Sequence, residues 1–194
     1  MGIEYELKYK ATEESQRAIR AAQEGQWQRI SMETTYYDTP GDDLAALRYT
    51  LRRRFENGVA VCTVKTPAQG KGRREWEVNC DTIEEAVEKL CKLGAPEILK
   101  ALTQKGLRPV CGARFTRLAL TVELPNGKAE LALDQGVLFA GDRELPLCEV
   151  EVELKEGSPE AAEQLARLLA RKYDLQPERK SKFQRAKALR GGEL

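Results

Sequence analysis

Residues 149–155, Glu149-Val150-Glu151-Val152-Glu153-Leu154-Lys155, alternate charged and apolar side chains without a break. Successive side chains of a strand point to opposite faces. The stretch therefore presents Glu149, Glu151, Glu153 and Lys155 on one face and Val150, Val152 and Leu154 on the other. A matching stretch opens the chain. There Glu4, Glu6 and Lys8 share one face, and Ile3, Tyr5, Leu7 and Tyr9 share the opposite one. Carboxylates two residues apart on one strand stand about 7 Å apart, so acids from two neighbouring strands can clamp one cation.

Working outward, the same period of two recurs. Residues 49–56 and 59–65 flank Asn57-Gly58, which predicts a hairpin. Arg52 and Arg54 share a face of its first arm, and Val61, Thr63 and Lys65 share a face of its second. Residues 73–80 place Arg73, Glu75, Glu77 and Asn79 opposite Trp76, Val78 and Cys80. Residues 110–124 and 128–134 form a second hairpin around Pro125-Asn126-Gly127, with Glu130 and Asp134 facing away from Leu131 and Leu133. Residues 3–10, 27–39 and 147–155 complete about eight strands, and Gln135-Gly136 and Gly141-Asp142 read as turns. Helices are expected from the Thr12 cap to about residue 24, and around 42–47, 83–91, 96–105, 159–173 and 180–189. Ile83, Ala86, Val87, Leu90 and Cys91 form one apolar stripe, and Ala161, Leu165, Leu168 and Leu169 another. The charged faces are unusual, and the reverse faces are mostly apolar, Arg53 and Arg74 excepted. The expected fold is α+β: an eight-stranded antiparallel β-barrel with a charged interior, its hydrophobic cores lying outside between sheet and helices. Eight strands enclose room for side chains and one small ligand.

The 194 residues fit one domain spanning 1–194. A hydrophobic share of 41% allows a core. Lys plus Arg number 32 and Asp plus Glu 31, so net charge argues neither for nor against nucleic acid; no basic face with interleaved aromatics is read in the sequence, and no nucleic-acid partner is expected. The chain contains no histidine, which excludes imidazole acid–base chemistry, serine triads and the usual zinc sites. Any metal should be a hard, oxygen-bound ion. Five scattered cysteines without a CxxC fit reduced thiols. No apolar stretch approaches the roughly 20 residues of a membrane span. A soluble, cytoplasmic protein, monomeric or homodimeric, is expected.

Arginine carries much of the positive charge on the strands, and signs segregate: the first and last strands are mainly acidic, the hairpin after Tyr49 basic. Clustered carboxylates repel one another without a cation. Arginine forks and lysine ammonium groups suit phosphate oxygens. A polyphosphate carrying divalent cations meets both requirements.

The ordered motifs resemble the triphosphate tunnel metalloenzymes, the CYTH superfamily. They run Glu4-x-Glu6-x-Lys8, Tyr36-Tyr37-Asp38-Thr39, Leu51-Arg52-Arg53-Arg54 and Thr63-Val64-Lys65. Then come Arg73-x-Glu75-x-Glu77, Arg117, Glu130-Leu131-Ala132-Leu133-Asp134, the Glu149/Glu151/Glu153 strand and Ser181-Lys182. Residues 129–157 most resemble bacterial inorganic triphosphatases, many of which carry a second, histidine-rich helical (CHAD) domain; a chain without that domain is expected here.

The resemblance implies hydrolysis of inorganic triphosphate to pyrophosphate and phosphate with Mg²⁺ or Mn²⁺. It implies substrate contacts from Lys8, Arg52, Arg54, Lys65, Arg73, Arg117 and Lys182. Metal ligands would come from Glu4, Glu6, Glu151 and Glu153, with Glu149, Asp134, Glu75 and Glu77 as further candidates for metal or water contacts. Glu4, Glu6, Lys8, Glu75, Glu151 and Glu153 form the expected catalytic set. Lys71 is weighed beside Arg73 as loop solvation, and Lys182 as a residue near a helix C-terminus. Alternatives on the same fold are a class IV-type adenylate cyclase, a thiamine triphosphatase or a nucleoside triphosphatase. A polyphosphate- or nucleotide-binding module without turnover is a third reading. Absence of a clear aromatic platform favours a substrate with no organic part.

Overall fold

The computed structural model describes residues 2–69 and 72–191; Lys71 lies outside the described residues. In chain order the elements are β1 (Gly2–Glu4), β2 (Glu6–Lys10), α1 (Glu13–Ala22), β3 (Gln28–Asp38), α2 (Asp43–Ala46), β4 (Thr50–Glu56), β5 (Val59–Pro67) and β6 (Arg73–Asn79). There follow α3 (Ile83–Lys92), α4 (Ile98–Thr103), β7 (Arg108–Leu124), β8 (Gly127–Ala140), β9 (Arg143–Glu156), α5 (Pro159–Lys172), β10 (Gln176–Pro177) and α6 (Lys182–Gly191). The strands form one antiparallel sheet in the order β1-β6-β5-β4-β3-β7-β8-β9-β2-β10.

Ten strands stand where the sequence predicts eight. The N-terminal strand is split: β1 pairs with β6, setting Glu4 opposite Arg73, and β2 pairs with β9, setting Glu6 opposite Glu153. The change of partner falls at Tyr5, whose carbonyl accepts a bond from the Leu154 amide at 2.9 Å. The two-residue β10 supplies the tenth. The hydrogen-bonded order is therefore open, and barrel describes it loosely; its two sides are brought together by the chain running from β1 into β2.

Local sequence explains most boundaries. Thr12 and Ser15 form a reciprocal capping box at the start of α1. Asn57 and Gly58 take φ of 50° and 87°, the left-handed pair of a tight hairpin turn between β4 and β5. Gln135-Gly136 is a correction: it lies inside β8, not at a turn. A Cβ on Gly136 would lie 2.1 Å from the Arg114 carbonyl oxygen, so glycine serves close approach of β7 to β8 there.

The outer sheet face and the helices bury two cores. In one, Leu51, Val64 and Trp76 pack against Ile83, Val87 and Leu90 of α3 and Leu99 of α4. In the other, Leu131, Leu133, Val150 and Val152 pack against Ile19 of α1 and Ala162, Ala166 and Leu169 of α5. Each fully buried leucine or isoleucine contributes on the order of 1.5–3 kcal/mol. The α5 stripe is shifted from expectation, since Leu168 is exposed. A third core lies where the sequence predicts only charge: α6 packs Phe183, Ala186 and Leu189 against Met32, Tyr36, Phe115 and Leu138. Tyr36 shares the cavity with Arg52, so α6 occupies part of the sheet's concave side.

Candidate functional site

The concave side holds a cavity of about 1280 Å³, lined from nearly every strand. The period-two faces bring together Glu4, Glu6, Lys8, Arg52, Arg54, Lys65, Arg73, Glu75, Glu77, Arg117, Glu151, Glu153 and Lys182. Arg74 is exposed, and Arg53 donates to the Asp81 carbonyl at 2.8 Å; both lie out of phase with the lining. Of the two tyrosines, Tyr36 lines the cavity and tilts against Phe183, ring centroids 5.2 Å apart, whereas Tyr37 belongs to the α3 core.

One wall is a closed ion lattice. Register sets Arg117 opposite Asp134 and Asp134 opposite Glu149. Arg117 forks onto Asp134 with two bonds of 2.8 Å, bonds Glu151, and reaches Glu130 at 3.3 Å. Lys182, the first residue of α6, sets its ammonium 2.9 Å from Asp134, 2.7 Å from Glu149 and 2.5 Å from Glu151. Lys182 thus stands at the helix start, not near the C-terminus. Arg185, one turn on, bonds Glu149. The carboxylates of Asp134, Glu149 and Glu151 lie within 4.8 Å of one another, and all three are buried. Asp134 and Glu149, expected as further metal ligands, do not line the cavity; these cations hold their oxygens.

Electrostatics follow from that packing. Burial would raise the Glu151 carboxyl, but Lys182 and Arg117 hold it well below the usual range. Burial opposes charge on Lys182 and Arg117 too, and the surrounding acids outweigh it, raising both. Glu149, where burial prevails, is pushed up.

The opposite wall is less complete. Among the described residues Arg52 has one ion-pair partner, Glu75 at 3.7 Å, and against burial Glu75, Glu4 and Glu77 help keep its guanidinium raised; Arg54 bonds Glu56 at 3.1 Å. The Nε atoms of both are buried without a hydrogen-bond partner among the described residues. Burial, then the like charges of Arg52 and Arg117, lower the Arg54 guanidinium. Lys65 pairs with Glu4 and stands 3.5 Å from Glu75. Arg73 donates to Thr50 Oγ1 at 3.1 Å and to the Arg48 carbonyl at 2.7 Å, and burial lowers it.

Between these walls lies an acidic row. Glu6 sits opposite Glu153, and Glu153 opposite Glu130, across three strands. Like charges directly opposite are destabilising. Lys8 bonds Glu6 at 2.9 Å and Lys155 lies 2.8 Å from Glu153. Burial, reinforced by Glu4 and Glu130, still pushes Glu153 up. An all-oxygen donor set with surplus negative charge fits a hard divalent cation.

Several lining residues escaped the sequence reading as site members. Glu130 is in phase with Asp134, so period two could have found it. Arg48, Arg179, Lys187 and Arg190 also line the cavity, from loops and from α6, where no strand period marks them. Gln16 supports the lattice from outside, its Nε2 donating to the carbonyls of Asp134 at 3.0 Å and Glu149 at 2.8 Å.

Fold and site together define an antiparallel sheet curled around a cavity that presents cations on one side and surplus carboxylates beside them. The CYTH domain matches residues 2–186, and the chain belongs to that family. It is 34% identical over 134 residues to an inorganic triphosphatase of Haemophilus influenzae, an alignment covering 68% of this chain and 38% of that relative. The match thus spans well under half of that relative's length. Among solved structures, a protein of Pyrococcus horikoshii superposes with a TM-score of 0.65 at 26% identity, covering 93% of this chain and 96% of its own. A Hippeastrum protein, described as a putative adenylyl cyclase with dominant triphosphatase activity, superposes with a TM-score of 0.66 at 19% identity, covering 100% and 97%; at that identity the likeness concerns the fold. No helix among the described residues is long and apolar enough to cross a membrane.

Proposed function

We propose that the chain hydrolyses inorganic triphosphate to pyrophosphate and phosphate in this cavity, with Mg²⁺ or Mn²⁺. The observation that carries the reading is the buried pair Arg52 and Arg54, whose Nε atoms have no hydrogen-bond partner among the described residues, facing a cavity whose neighbouring wall holds the carboxylates Glu6, Glu153 and Glu130 set opposite one another. A bare polyanion completes the first group and a divalent cation the second. The 34% identical relative named an inorganic triphosphatase supports the same reading.

Arg52, Arg54, Lys65, Arg73 and Lys8 would take the phosphate oxygens. Glu4, Glu6 and Glu153 would hold the cation, with Glu130 beside them. When bound, the ion neutralises phosphate charge and lowers the pKa of a coordinated water. Attack by water on the terminal phosphorus breaks one P–O–P bond and leaves pyrophosphate. No side chain here suits a neutral-pH general base through histidine, so positioning and charge stabilisation supply the rate. Arg117 and Lys182 act mainly by fixing Glu151 and the sheet beneath it. A nucleotide or thiamine triphosphate would put its organic part at the rim near Arg48 and Lys187.

Phosphate release from inorganic triphosphate, ATP and thiamine triphosphate tests this, with Mg²⁺ or Mn²⁺ and with EDTA. Metal-dependent turnover greatest for inorganic triphosphate, and lost in Glu6→Gln, is expected. Faster turnover of ATP, or cyclic AMP formation, overturns the substrate assignment. Binding of triphosphate without any turnover moves the protein to the binding-module class.

A further inference from the structure

We infer that the bond from Tyr5 to Glu163 is a positioning contact, which fixes where the N-terminal strand changes partner and thereby sets Glu4 relative to Glu6. The inference rests on the proposed reading that these two glutamates help hold a divalent cation.

Tyr5 is the single residue between β1 and β2. On one side of it, Glu4 follows β6 and pairs with Lys65. On the other, Glu6 follows β9 and bonds Lys8. Three register pairs hold β1 to β6, five hold β2 to β9 and two hold β2 to β10, and among the described residues no ladder joins β6 to β2. The spacing of the two carboxylates therefore depends on how the joint itself is held.

Two hydrogen bonds of Tyr5 help hold it. The Tyr5 carbonyl accepts from the Leu154 amide at 2.9 Å. On the outer face, the Tyr5 hydroxyl donates to Glu163 Oε1 on α5 at 2.5 Å. Glu163 Oε2 accepts from Arg167, one helical turn on, at 2.9 Å, which orients the carboxylate. A groove of about 560 Å³ opens over this joint, touching Tyr5 and Glu163 outside and Glu4, Glu6 and Lys8 inside. Tyr5 is bonded in the chain to both glutamates, so a shift of its backbone moves both. Contacts behind metal ligands commonly tune affinity in this way.

The test is Mn²⁺ binding measured by electron paramagnetic resonance without substrate, alongside thermal melting, in wild type, Tyr5→Phe, Glu163→Gln, Glu163→Ala and Glu6→Gln. Tyr5→Phe and Glu163→Ala should weaken Mn²⁺ binding on the order of tenfold with melting temperature shifted by no more than about 4 °C. Glu163→Gln keeps an acceptor and should stay within about threefold of wild type. Wild-type affinity in Tyr5→Phe, with loss in Glu6→Gln, overturns the inference and leaves the proposed function standing. Wild-type affinity in Glu6→Gln overturns both. Affinity lost only in step with melting temperature also overturns the inference, because ordinary packing would do the same. If Tyr5→Phe does not fold, the Glu163→Ala and Glu163→Gln pair carries the same comparison.

Discussion

The two walls of the cavity are built from the same residue types and use them in opposite ways. Around Asp134, Glu149 and Glu151, every carboxylate meets Arg117, Lys182 or Arg185 at bonding distance, and all three acids are buried, with Glu151 alone among them lining the cavity. Around Arg52 and Arg54, like charges from Arg52 and Arg117 crowd Arg54, and the buried Nε atoms of Arg52 and Arg54 have no hydrogen-bond partner among the described residues. The ion lattice is not free of loose ends, since Arg185 Nε is also buried without a hydrogen-bond partner among the described residues, but its acids already hold cations, whereas Arg54 is crowded by like charge. Position on a strand face does not distinguish the two; the presence of a facing counter-charge does.

Removing one partner from the closed wall should give the largest effect. Breaking a buried pair on one side only costs about 3–5 kcal/mol. Lys182→Met leaves three buried acids without their shared cation, and chemical denaturation should show a loss of that size. At about 2–4 °C per kcal/mol for a chain of this length, the melting temperature should fall by roughly 6–20 °C. Wild-type stability in this variant would remove the contrast between the walls.

On the open wall the effect should move from stability to turnover. Arg54→Gln relieves repulsion from Arg52 and Arg117, so stability should hold or rise. Losing one charge aimed at the reacting phosphate should reduce turnover about 10²–10³-fold. Phosphate release beside a melting curve checks both halves.

Acid titration sharpens the contrast further. Glu151 is held below the ordinary carboxylate range in the folded chain. Its contribution is therefore present above the unfolded value near 4.5 and is lost as pH falls through the lower folded value. Stability against urea should decline below that pH in wild type, and the Glu151 share of the decline should be absent in Glu151→Gln. The smallest effect belongs outside the cavity. Arg74→Ala, exposed on the convex face, should change stability by less than about 0.5 kcal/mol and leave turnover unchanged.

Period two made the concave face legible, because Glu4, Arg52, Lys65, Glu75 and Glu153 need only strand alternation to share it. The partner change at Tyr5 was not legible, since Glu4-Tyr5-Glu6 alternates as an unbroken strand would. The fate of Asp134 and Glu149 was equally hidden: their counter-charges Lys182 and Arg185 come from a helix more than 30 residues away in sequence, and only packing brings them in. Gly136 read as a turn because glycine marks turns and close approaches alike. The core under α6 was not legible, because Phe183, Ala186 and Leu189 are interleaved with basic residues and form no clear apolar stripe.

The most direct test is calorimetric titration of inorganic triphosphate, with EDTA present so that no turnover occurs, into wild type, Arg54→Gln and Arg74→Ala. The account predicts that Arg54→Gln binds at least about tenfold more weakly, roughly 1.4 kcal/mol, at an unchanged melting temperature, while Arg74→Ala matches wild type. Equal affinity in all three would contradict the claim that the incomplete wall is where the polyanion binds.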